Sequence, residues 1–557
     1  MKIYKYIGYK KAFYIGGILK LVEVGLEIFL PVFMGILIDY AVNNYNPQVP
    51  FYMLAAILLF TIVGFLSTYV SHVLVAKVSL DFARNVKNDM FEKVLDFAYG
   101  TRTKFSSTTI VNRMNNDVLT LQNALGMTMR IATRAPFLLV GSLIMIMIIN
   151  FQIGLILLLG YLSLMLMIVV ISLVLVKMYR YVQRNRERND RIVRENIRGM
   201  RVVRSYGKQA YERQRFDEQT NNLVKSQKQT AVIVALSTPL STLLLNIVLV
   251  VMLYFSADLI NIGTLSTGQV LTMINYTAQL LVATIALLNI ILLYARSVIA
   301  YERVKEVLAQ ETVIDGNQSI TGYDIEFNNV ELGFNNHCVN VLNNLNFKIE
   351  YGQKIGIIGL TGAGKTTLLR AINKYITPNS GLITIGQTNI SDISMLSHSE
   401  KIGYVPQNRT LFSGDVKFNL TLGKHYEINE LKEVLSLVNL DSSDHFLATK
   451  INEGGTNFSG GQRQRLNIAR ALIQKPAILL LDDVFSSIDA KNQSQIKENL
   501  FNLDYQPTII LTTTRISHIQ DFDRIIVMAN NEIIACDSHF QLLKTCLYYK
   551  ELFEQQK

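Results

Sequence analysis

A glycine-rich stretch, Ile355-Gly-Ile-Ile-Gly-Leu-Thr-Gly-Ala-Gly-Lys-Thr-Thr-Leu-Leu369, has the residue types and the spacing that bind phosphate. Gly359, Gly364, Lys365 and Thr366 match the pattern GxxxxGK[ST], between a short apolar strand and a segment that can begin a helix. Glycines let successive backbone N–H groups turn toward one anion, and the helix N-terminus adds its dipole. We expect Lys365 to reach the β- and γ-phosphates of a nucleotide and the Thr366 hydroxyl to hold Mg²⁺. A chance glycine-rich turn is the competing interpretation.

A second stretch, Phe458-Ser-Gly-Gly-Gln-Arg-Gln-Arg465, offers another anion site at a helix start. Ser459, Gly460 and Gly461 supply a hydroxyl and unhindered backbone N–H groups ahead of a predicted amphipathic helix. Shortly after it, the apolar run Ala477-Ile-Leu-Leu-Leu-Asp482 is typical of a buried parallel strand that presents a carboxylate to Mg²⁺ at its end. Two phosphate-binding elements in one domain make sense if each binds a different nucleotide.

These motifs require a cytosolic α/β domain to position them. From about Gln310 the apolar stretches stop and strands alternate with helices, which predicts a mainly parallel core sheet. We expect a linker at 311–322 and a nucleotide-binding domain at 323–557. The three cysteines show no CxxC spacing and fit a reduced compartment.

The first part of the chain is predicted to lie in a membrane. Half of the 557 residues are hydrophobic, and the mean hydropathy is +0.26. Six apolar stretches each reach the roughly 20 residues that a membrane helix needs. These predicted spans are 13–38, 51–75, 131–149, 153–176, 231–255 and 270–293.

Basic residues are distributed unevenly around these spans. Lys and Arg are absent from 39–50, 150–152 and 258–268 but frequent in 77–130 and 177–228. The positive-inside rule then places both termini on the cytoplasmic side of the cell membrane. Topology in the lipid bilayer therefore explains the net charge of +11, and we expect no nucleic-acid partner.

The two basic connections are predicted to be helical stalks. At 1.5 Å of rise per residue, each pair of helices would reach on the order of 35 Å beyond the bilayer. Another domain could bind the turn at each stalk tip. These tips are predicted near 105–112 in the first stalk and 206–209 in the second. A solvated charged helix is the alternative for each stretch.

With these motifs, and over essentially all 557 residues, the chain resembles an ATP-binding cassette (ABC) half-transporter of the multidrug exporter type. The resemblance implies a membrane all-α six-helix domain of the type IV ABC exporter fold at 1–310, followed by a cytosolic α/β P-loop NTPase domain. It implies ATP and Mg²⁺ as cofactors and a second half-transporter as partner. In this family two nucleotide domains close head to tail on ATP, and the stalk tips are coupling helices.

The resemblance also assigns roles to individual residues. Phe334 matches the aromatic side chain that stacks on adenine, Gln407 the glutamine that contacts Mg²⁺, and Phe458 to Gln462 the LSGGQ signature with Phe in place of Leu. Nucleotide binding is assigned to Phe334, Gly359, Thr361, Gly362, Gly364, Lys365, Thr366, Thr367, Gln407, Ser459, Gly460, Gly461 and Gln462. Metal binding is assigned to Thr366, Gln407 and Asp482.

The resemblance assigns catalytic roles to positions 407, 483 and 514. Gln407 matches the family pattern, and the other two positions depart from it. The residue after the metal-binding aspartate is normally a Glu that polarises the attacking water, and here it is Asp483. The switch histidine is replaced by Thr514. A shorter carboxylate draws back from the water, and a displacement of about 1 Å can cost about 100-fold in rate. Threonine cannot be a charged donor to the γ-phosphate.

These departures predict a chain that binds ATP in its own site but hydrolyses it slowly. Its signature would complete the site of a partner that carries the Glu and the His, which is the asymmetric heterodimer pattern of the family. A slow homodimer, with His518 as a substitute switch residue, is the alternative. We expect export of hydrophobic or amphipathic small molecules; a homodimeric lipid or peptide exporter and a regulatory membrane protein that moves little substrate are the other hypotheses.

Three ionisable side chains, Lys20, Glu23 and Glu27, share one face of the first span. Because charged groups at this depth are costly, they are expected to face protein or a wet cavity. Glu23 or Glu27 could attract a cationic, amphipathic substrate. Alternatively, Lys20 pairs with Glu23, or an acid bonds to the region of Arg130 and Arg134.

Overall fold

A computed structural model describes residues 3–42, 48–97, 101, 104–313, 315–333 and 340–556. The chain divides into two compact units. The first unit runs up to Val94 and again from Ser107 to Ala309, and the second comprises Leu95–Ser106 and the chain from Gln310 onward.

The first unit consists of long helices, because a segment in hydrocarbon can satisfy its own backbone hydrogen bonds only as a helix. The described residues contain six helices that are long and apolar enough to cross a membrane. They are α1 (Lys10–Val42), α2 (Gln48–Leu95), α3 (Ser107–Ile149), α4 (Phe151–Ser205), α5 (Gln209–Asn261) and α6 (Thr267–Leu308). A short 3₁₀ helix, Ile3–Tyr6, precedes α1. Each predicted span lies inside one of the six helices, so the prediction of six spans is confirmed.

Helix α3 contains two π-helical turns, at Arg113–Asp117 and Thr128–Ala132. Each π turn accommodates one extra residue, which rotates the helix face that the following residues present. The second π turn contains Arg130 and ends one turn before Pro136.

Helices α1 and α6 approach closely at a pair of glycines. A Cβ atom on Gly268 would lie 2.0 Å from the carbonyl oxygen of Gly35. Next to this contact, the Asp39 carboxylate accepts hydrogen bonds from the Gly268 N–H at 2.7 Å and the Ser266 hydroxyl at 2.5 Å. Asp39 thus satisfies one N–H group at the start of α6, as a capping residue does.

Helices α4 and α5 form the second stalk, and the chain reverses between them at Tyr206–Lys208. This turn lies inside the predicted tip at 206–209. Near the turn, Asn196 donates to Glu212 at 2.8 Å, which joins the two helices.

The second unit has an α/β fold with two main sheets. The six-stranded sheet has the order β12-β11-β3-β10-β9-β6 and is parallel except for β12, and the four-stranded antiparallel sheet has the order β2-β1-β4-β5. The strands are β1 (Ile325–Gly333), β2 (Asn340–Ile349), β3 (Lys354–Ile358), β4 (Ser380–Ile385), β5 (Thr388–Asn389), β6 (Ile402–Val405), β7 (Gly414–Asp415), β8 (Lys450–Ile451), β9 (Ile478–Asp482), β10 (Thr508–Thr513), β11 (Arg524–Ala529) and β12 (Glu532–Asp537). The mainly parallel core sheet is therefore as predicted.

Apolar clusters cover both faces of the six-stranded sheet, so its central strands are buried along their whole length. That burial explains the continuous apolar runs in the sequence of β9 and β10. The helices that supply the cover are α7 (Lys365–Ile372), α8 (Met395–Lys401), α9 (Val416–Thr421), α10 (Ile428–Leu437), α11 (Asp444–Leu447), α12 (Gly460–Leu472), α13 (Ala490–Phe501), α14 (His539–Thr545) and α15 (Leu547–Gln555).

The segment Leu95–Ser106, at the tip of the first stalk, belongs to the second unit. Its Asp96 carbonyl accepts a hydrogen bond from the Val313 N–H at 2.8 Å, and Phe97 and Phe105 are buried. Backbone pairing across more than two hundred residues has no local sequence signal.

Candidate functional site

Three neighbouring parallel strands of the six-stranded sheet end in one row. In the register of the sheet, Thr512 of β10 lies beside Asp482 of β9 and beside Ile357 of β3. The carboxyl ends of parallel strands form the usual ligand crevice of an α/β sheet. The loop after β3, the two aspartates at the end of β9 and Thr514 after β10 therefore meet at one edge.

The loop between β3 and α7 has the backbone shape that its glycines allow. Gly362 and Gly364 have φ angles of +91° and +95°, in the left-handed region that favours glycine. A Cβ atom on Gly364 would also lie 2.5 Å from the side chain of Leu342. The turn delivers the chain directly into α7 at Lys365, so N–H groups of the loop and helix start are available to an anion. Thr361 is exposed in this loop and Thr367 is buried in α7.

The Lys365 ammonium group lies over its own loop. Its Nζ donates hydrogen bonds to the carbonyl oxygens of Gly359 at 2.7 Å and Leu360 at 2.9 Å. Burial lowers the pKa of Lys365, and the nearby carboxylates of Asp483 and Asp482 raise it. The Lys365 ammonium group thus lies at the loop where the sequence predicts that the phosphates of a nucleotide bind.

Asp482 has one occupied and one free carboxylate oxygen. Its Oδ1 accepts hydrogen bonds from the hydroxyls of Thr366 at 3.0 Å and Thr512 at 2.8 Å. Its Oδ2 is buried and has no hydrogen-bond partner in the part of the chain that the structure describes. A buried carboxylate oxygen without a partner is costly unless a cation completes its environment. Asp482 and Thr366 together therefore fit a divalent cation with oxygen ligands.

Asp483 follows directly, with φ at +49°. Burial raises the pKa of Asp483 and the adjacent Asp482 adds to this effect, whereas Ser486, Lys365 and Gln407 lower it. Gln407 comes from the loop after β6, the strand next to β9. The structure thus brings the Gln407 side chain to Asp483.

The switch position holds Thr514, which is exposed directly after β10. His518 lies in the following 3₁₀ turn and is buried, with its Nδ1 at 2.9 Å from the Thr513 hydroxyl. Burial lowers the pKa of His518 to about 4. A neutral histidine that is packed inward is a poor substitute for the family's switch histidine.

The second anion motif forms the start of α12. The Ser459 hydroxyl accepts a hydrogen bond from the Gln462 N–H at 3.2 Å, and the Gln462 side chain accepts one from the Ser459 N–H at 2.9 Å. This reciprocal cap fixes the helix start. The backbone N–H groups of Ser459 and Gln462 are thus both bonded within this cap. A Cβ atom on Gly461 would lie 3.1 Å from the Ser487 carbonyl oxygen, and one on Gly460 would lie 2.8 Å from Arg409.

The unusual Phe458 of this motif is buried and packs edge-on against Phe446, with ring centroids 6.2 Å apart. It therefore takes a core position, as the leucine of the family pattern could. The predicted adenine-stacking residue, Phe334, lies outside the described residues.

Thr512 is a further residue of the site, and none of the sequence motifs includes it. Its hydroxyl donates to the Asp482 carboxylate, and its carbonyl oxygen accepts from the Asp483 N–H at 3.1 Å. The available signal was a polar run, Thr512-Thr-Thr514, at the end of an otherwise apolar strand.

In the first unit, both glutamates of α1 are paired with cations. Lys20 Nζ lies 2.5 Å from Glu23, and the Arg134 guanidinium donates to the two oxygens of Glu27 at 2.6 and 2.8 Å. Both pairings were among the alternatives drawn from the sequence.

The first unit has six helices that can cross a membrane. The α/β unit has a phosphate loop, an aspartate suited to a cation and a second anion motif. Together these features define a membrane-bound nucleotide-hydrolysing protein. Comparison with known families gives the same division. The family model described as ABC transporter transmembrane region matches residues 13–284, and the model described as ABC transporter matches residues 342–486. The chain belongs to the ABC transporters, as an exporter-type half-transporter with both parts fused in one chain.

Individual relatives agree with this assignment. The chain is similar to the Uncharacterized ABC transporter ATP-binding protein YfiB of Bacillus subtilis, with 29% identity over 97% of this chain and 95% of the relative. It is also similar to the "Probable multidrug resistance ABC transporter ATP-binding/permease protein YheI" of Bacillus subtilis, with 32% identity over 66% of this chain and 64% of the relative. A bacterial Atm1-family ABC exporter solved with ATP bound has the same fold, with a TM-score of 0.83 and 18% identity over 98% of each chain.

The protein is thus an integral membrane ATPase and translocase that binds ATP. Exporters of this class work as dimers, so the chain functions together with a second half-transporter chain.

Proposed function

We propose that this chain is the weakly hydrolysing half of a heterodimeric exporter of hydrophobic or amphipathic small molecules. The observation that carries the proposal is the composition of one edge of the sheet. The phosphate loop, Thr366 and Asp482 keep the groups that bind a nucleotide and a cation, while Asp483 and Thr514 stand where the water-polarising and switch residues of the family are.

The site of this chain is proposed to hold ATP for long periods. Lys365 and the loop N–H groups bind the phosphates, and Thr366, Asp482 and Gln407 hold Mg²⁺. Mg²⁺ supplies charge neutralisation of the phosphates when it is bound. Asp483 positions the attacking water poorly because its carboxylate is one methylene shorter than that of glutamate.

The faster hydrolysis is proposed to occur at the partner's phosphate loop. There the N–H groups of Gly460 and Gly461 and the hydroxyl of Ser459 in this chain face the γ-phosphate, while the partner contributes the Glu and the His. The buried, neutral state of His518 argues against the slow-homodimer alternative, because that alternative needs His518 to act as the switch residue.

Closure of the two nucleotide domains on ATP is proposed to open the membrane cavity outward. Hydrolysis at the partner's site is proposed to return the cavity to its starting state. The stalk tips near 105–112 and 206–209 act as coupling helices, the second on the partner chain. Both termini lie on the cytoplasmic side of the cytoplasmic membrane, in keeping with the basic connections.

The test is to purify this chain alone and together with its half-transporter partner, and to measure ATP hydrolysis and ATP-dependent uptake of a fluorescent amphiphile into vesicles. We expect slow hydrolysis from the lone chain, and fast hydrolysis and uptake from the pair. Brisk ATPase activity of the lone chain would contradict the heterodimer. Fast ATP hydrolysis by the pair without uptake of any amphiphile would instead support a regulatory membrane protein.

A further inference from the structure

Charged side chains of α1 and α3 form a cluster within the membrane-spanning region. Lys20 is 3% exposed and pairs with Glu23, which is 12% exposed. Glu27 and Arg134 are 27% and 38% exposed and form a bidentate pair. Two of the three cations in this region are thereby balanced by the two carboxylates.

Arg130 is the third cation, and it lies one turn before Arg134 on α3. No carboxylate in the described part of the chain forms an ion pair with it, and its buried Nε atom has no hydrogen-bond partner there. Gly126, one turn earlier, leaves room beside it, because a Cβ atom there would lie 3.5 Å from Arg130 Nη2. The cluster therefore carries one excess positive charge on a guanidinium that is incompletely satisfied.

The ion pair of Arg134 with Glu27 fixes the depth of this excess charge. Glu27 lies fourteen residues after Phe13, the first residue of the apolar stretch, which is about 20 Å along the helix at 1.5 Å per residue. Arg130 is then about 6 Å nearer the start of the span than Arg134. Arg130 directly precedes the predicted span 131–149, and a Cβ atom on Gly126 would lie close to both Arg130 Nη2 and Ser79 of α2, so the guanidinium lies near the start of the span.

A buried guanidinium nitrogen without a partner is costly, and an ionisable residue that faces the interior of a membrane domain commonly marks a binding site or a substrate path. A carboxylate or phosphate group fits a guanidinium fork in charge and geometry. We propose that Arg130, with Arg134 and Lys20 beside it, binds the anionic headgroup of an amphiphile, so that the exported compounds are anionic amphiphiles. This inference rests on the proposed export function. It differs from the expectation of a cationic substrate, because Glu23 and Glu27 are already neutralised by cations of the same chain.

The test measures binding to the full chain in nanodiscs of zwitterionic lipid. Two fluorescent probes share one alkyl chain and end in a carboxylate or in a trimethylammonium group. We expect the wild type to prefer the carboxylate probe, and Arg130→Gln to weaken carboxylate binding roughly tenfold without weakening the ammonium probe. Arg180→Gln, an exposed arginine of α4 outside the predicted span, makes the same change of charge and is expected to leave both affinities unchanged.

A second variant keeps the test independent of misfolding. Glu27→Gln frees Arg134, so the carboxylate probe is expected to bind more tightly to this variant, a gain that a damaged protein would not show. Preference of the wild type for the ammonium probe, unchanged or weaker carboxylate binding in Glu27→Gln, or equal effects of Arg130→Gln and Arg180→Gln would each overturn the inference.

The anionic headgroup could come from a free amphiphile or from a bilayer lipid. Nanodiscs that contain phosphatidylglycerol distinguish the two sources: displacement of the probe from the Arg130-dependent site identifies the lipid, and unchanged binding identifies the free amphiphile. Both results retain the anion site. If the paired transporter moves only uncharged or cationic probes, the inference fails while the export function stands; if it moves none, the export function itself fails.

Discussion

The hydroxyl of Thr512 donates a 2.8 Å hydrogen bond to Oδ1 of Asp482, on the adjacent parallel strand. Thr366 donates to the same oxygen at 3.0 Å, which leaves Oδ2 as the oxygen without a partner among the described residues. The two threonines thus fix the orientation of the carboxylate before any cation binds. Orientation of a metal ligand by hydrogen bonds to its other atoms commonly sets metal affinity.

Replacing Thr512 by valine is expected to weaken Mg²⁺-dependent ATP binding about fivefold, because valine keeps the volume but loses a hydrogen bond to a buried carboxylate. Equilibrium binding of a fluorescent ATP analogue at several Mg²⁺ concentrations measures the effect. Thr508→Val, at the other end of β10, serves as the control. Equal affinities for the two variants would show that Thr512 does not orient Asp482.

Asp483→Glu is expected to raise hydrolysis at this chain's own site by about tenfold or more, and Thr514→His to raise it further, because a positioned base and a charged donor each contribute to the rate. Single-turnover hydrolysis per folded protein is the measurement. The correction for folding matters because the φ of +49° at position 483 suits Asp better than Glu. Asp483→Asn is the control, with no gain expected. An unchanged rate in the Glu and His double variant would mean that another defect limits this site.

The buried His518 should make the protein less stable in mild acid. Its pKa in the folded chain is about 4, against 6.5 for the unperturbed side chain. The unfolded state therefore takes up a proton that the folded state excludes, and stability is lost as the pH falls from about 6.5 toward about 4. His518→Gln is expected to reduce the loss of Tm between pH 7.5 and pH 5 without changing ATP hydrolysis at pH 7.5. The exposed His425→Gln is the control; the same pH dependence in both variants, or a hydrolysis defect in His518→Gln, would contradict this role.

Gly268→Ala is expected to destabilise the contact of α1 with α6 by about 1–3 kcal/mol, since the new methyl group would overlap the Gly35 carbonyl. Thermal unfolding of the full chain in detergent measures the change. Gly25→Ala adds the same methyl group to α1, where no atom lies within 4 Å, and should leave the Tm nearly unchanged. Equal stability of the two variants would refute the close approach of the helices.

Features with a local sequence signal were predictable. Long apolar runs required membrane helices, and the glycine pattern from Gly359 to Gly364 required a loop between a strand and a helix. The position of Asp482 at a strand end followed from the apolar run before it. In each case a few adjacent residues limit the backbone to one kind of structure.

Features that depend on distant residues were not predictable. The pairing of Asp96 with Val313 assigns a stalk tip to the second unit, although these residues are more than two hundred positions apart. The choice of Arg134 as the partner of Glu27 depends on the packing of α1 against α3 and on the π turn before Arg134. No periodicity in the sequence encodes either contact.

The central claim is that this chain binds ATP at its own phosphate loop and hydrolyses it slowly. Its main contribution to ATP hydrolysis is its signature, Phe458 to Gln462, which completes the partner's site. The most direct measurement is the ATPase rate of the purified pair with one of two variants in this chain only. Lys365→Ala, which removes a phosphate-binding cation from this chain's site, is predicted to leave most of the hydrolysis. Ser459→Arg, which obstructs the helix start offered to the partner's ATP, is predicted to reduce it by about tenfold or more. Loss of hydrolysis in Lys365→Ala with a normal rate in Ser459→Arg would contradict the account.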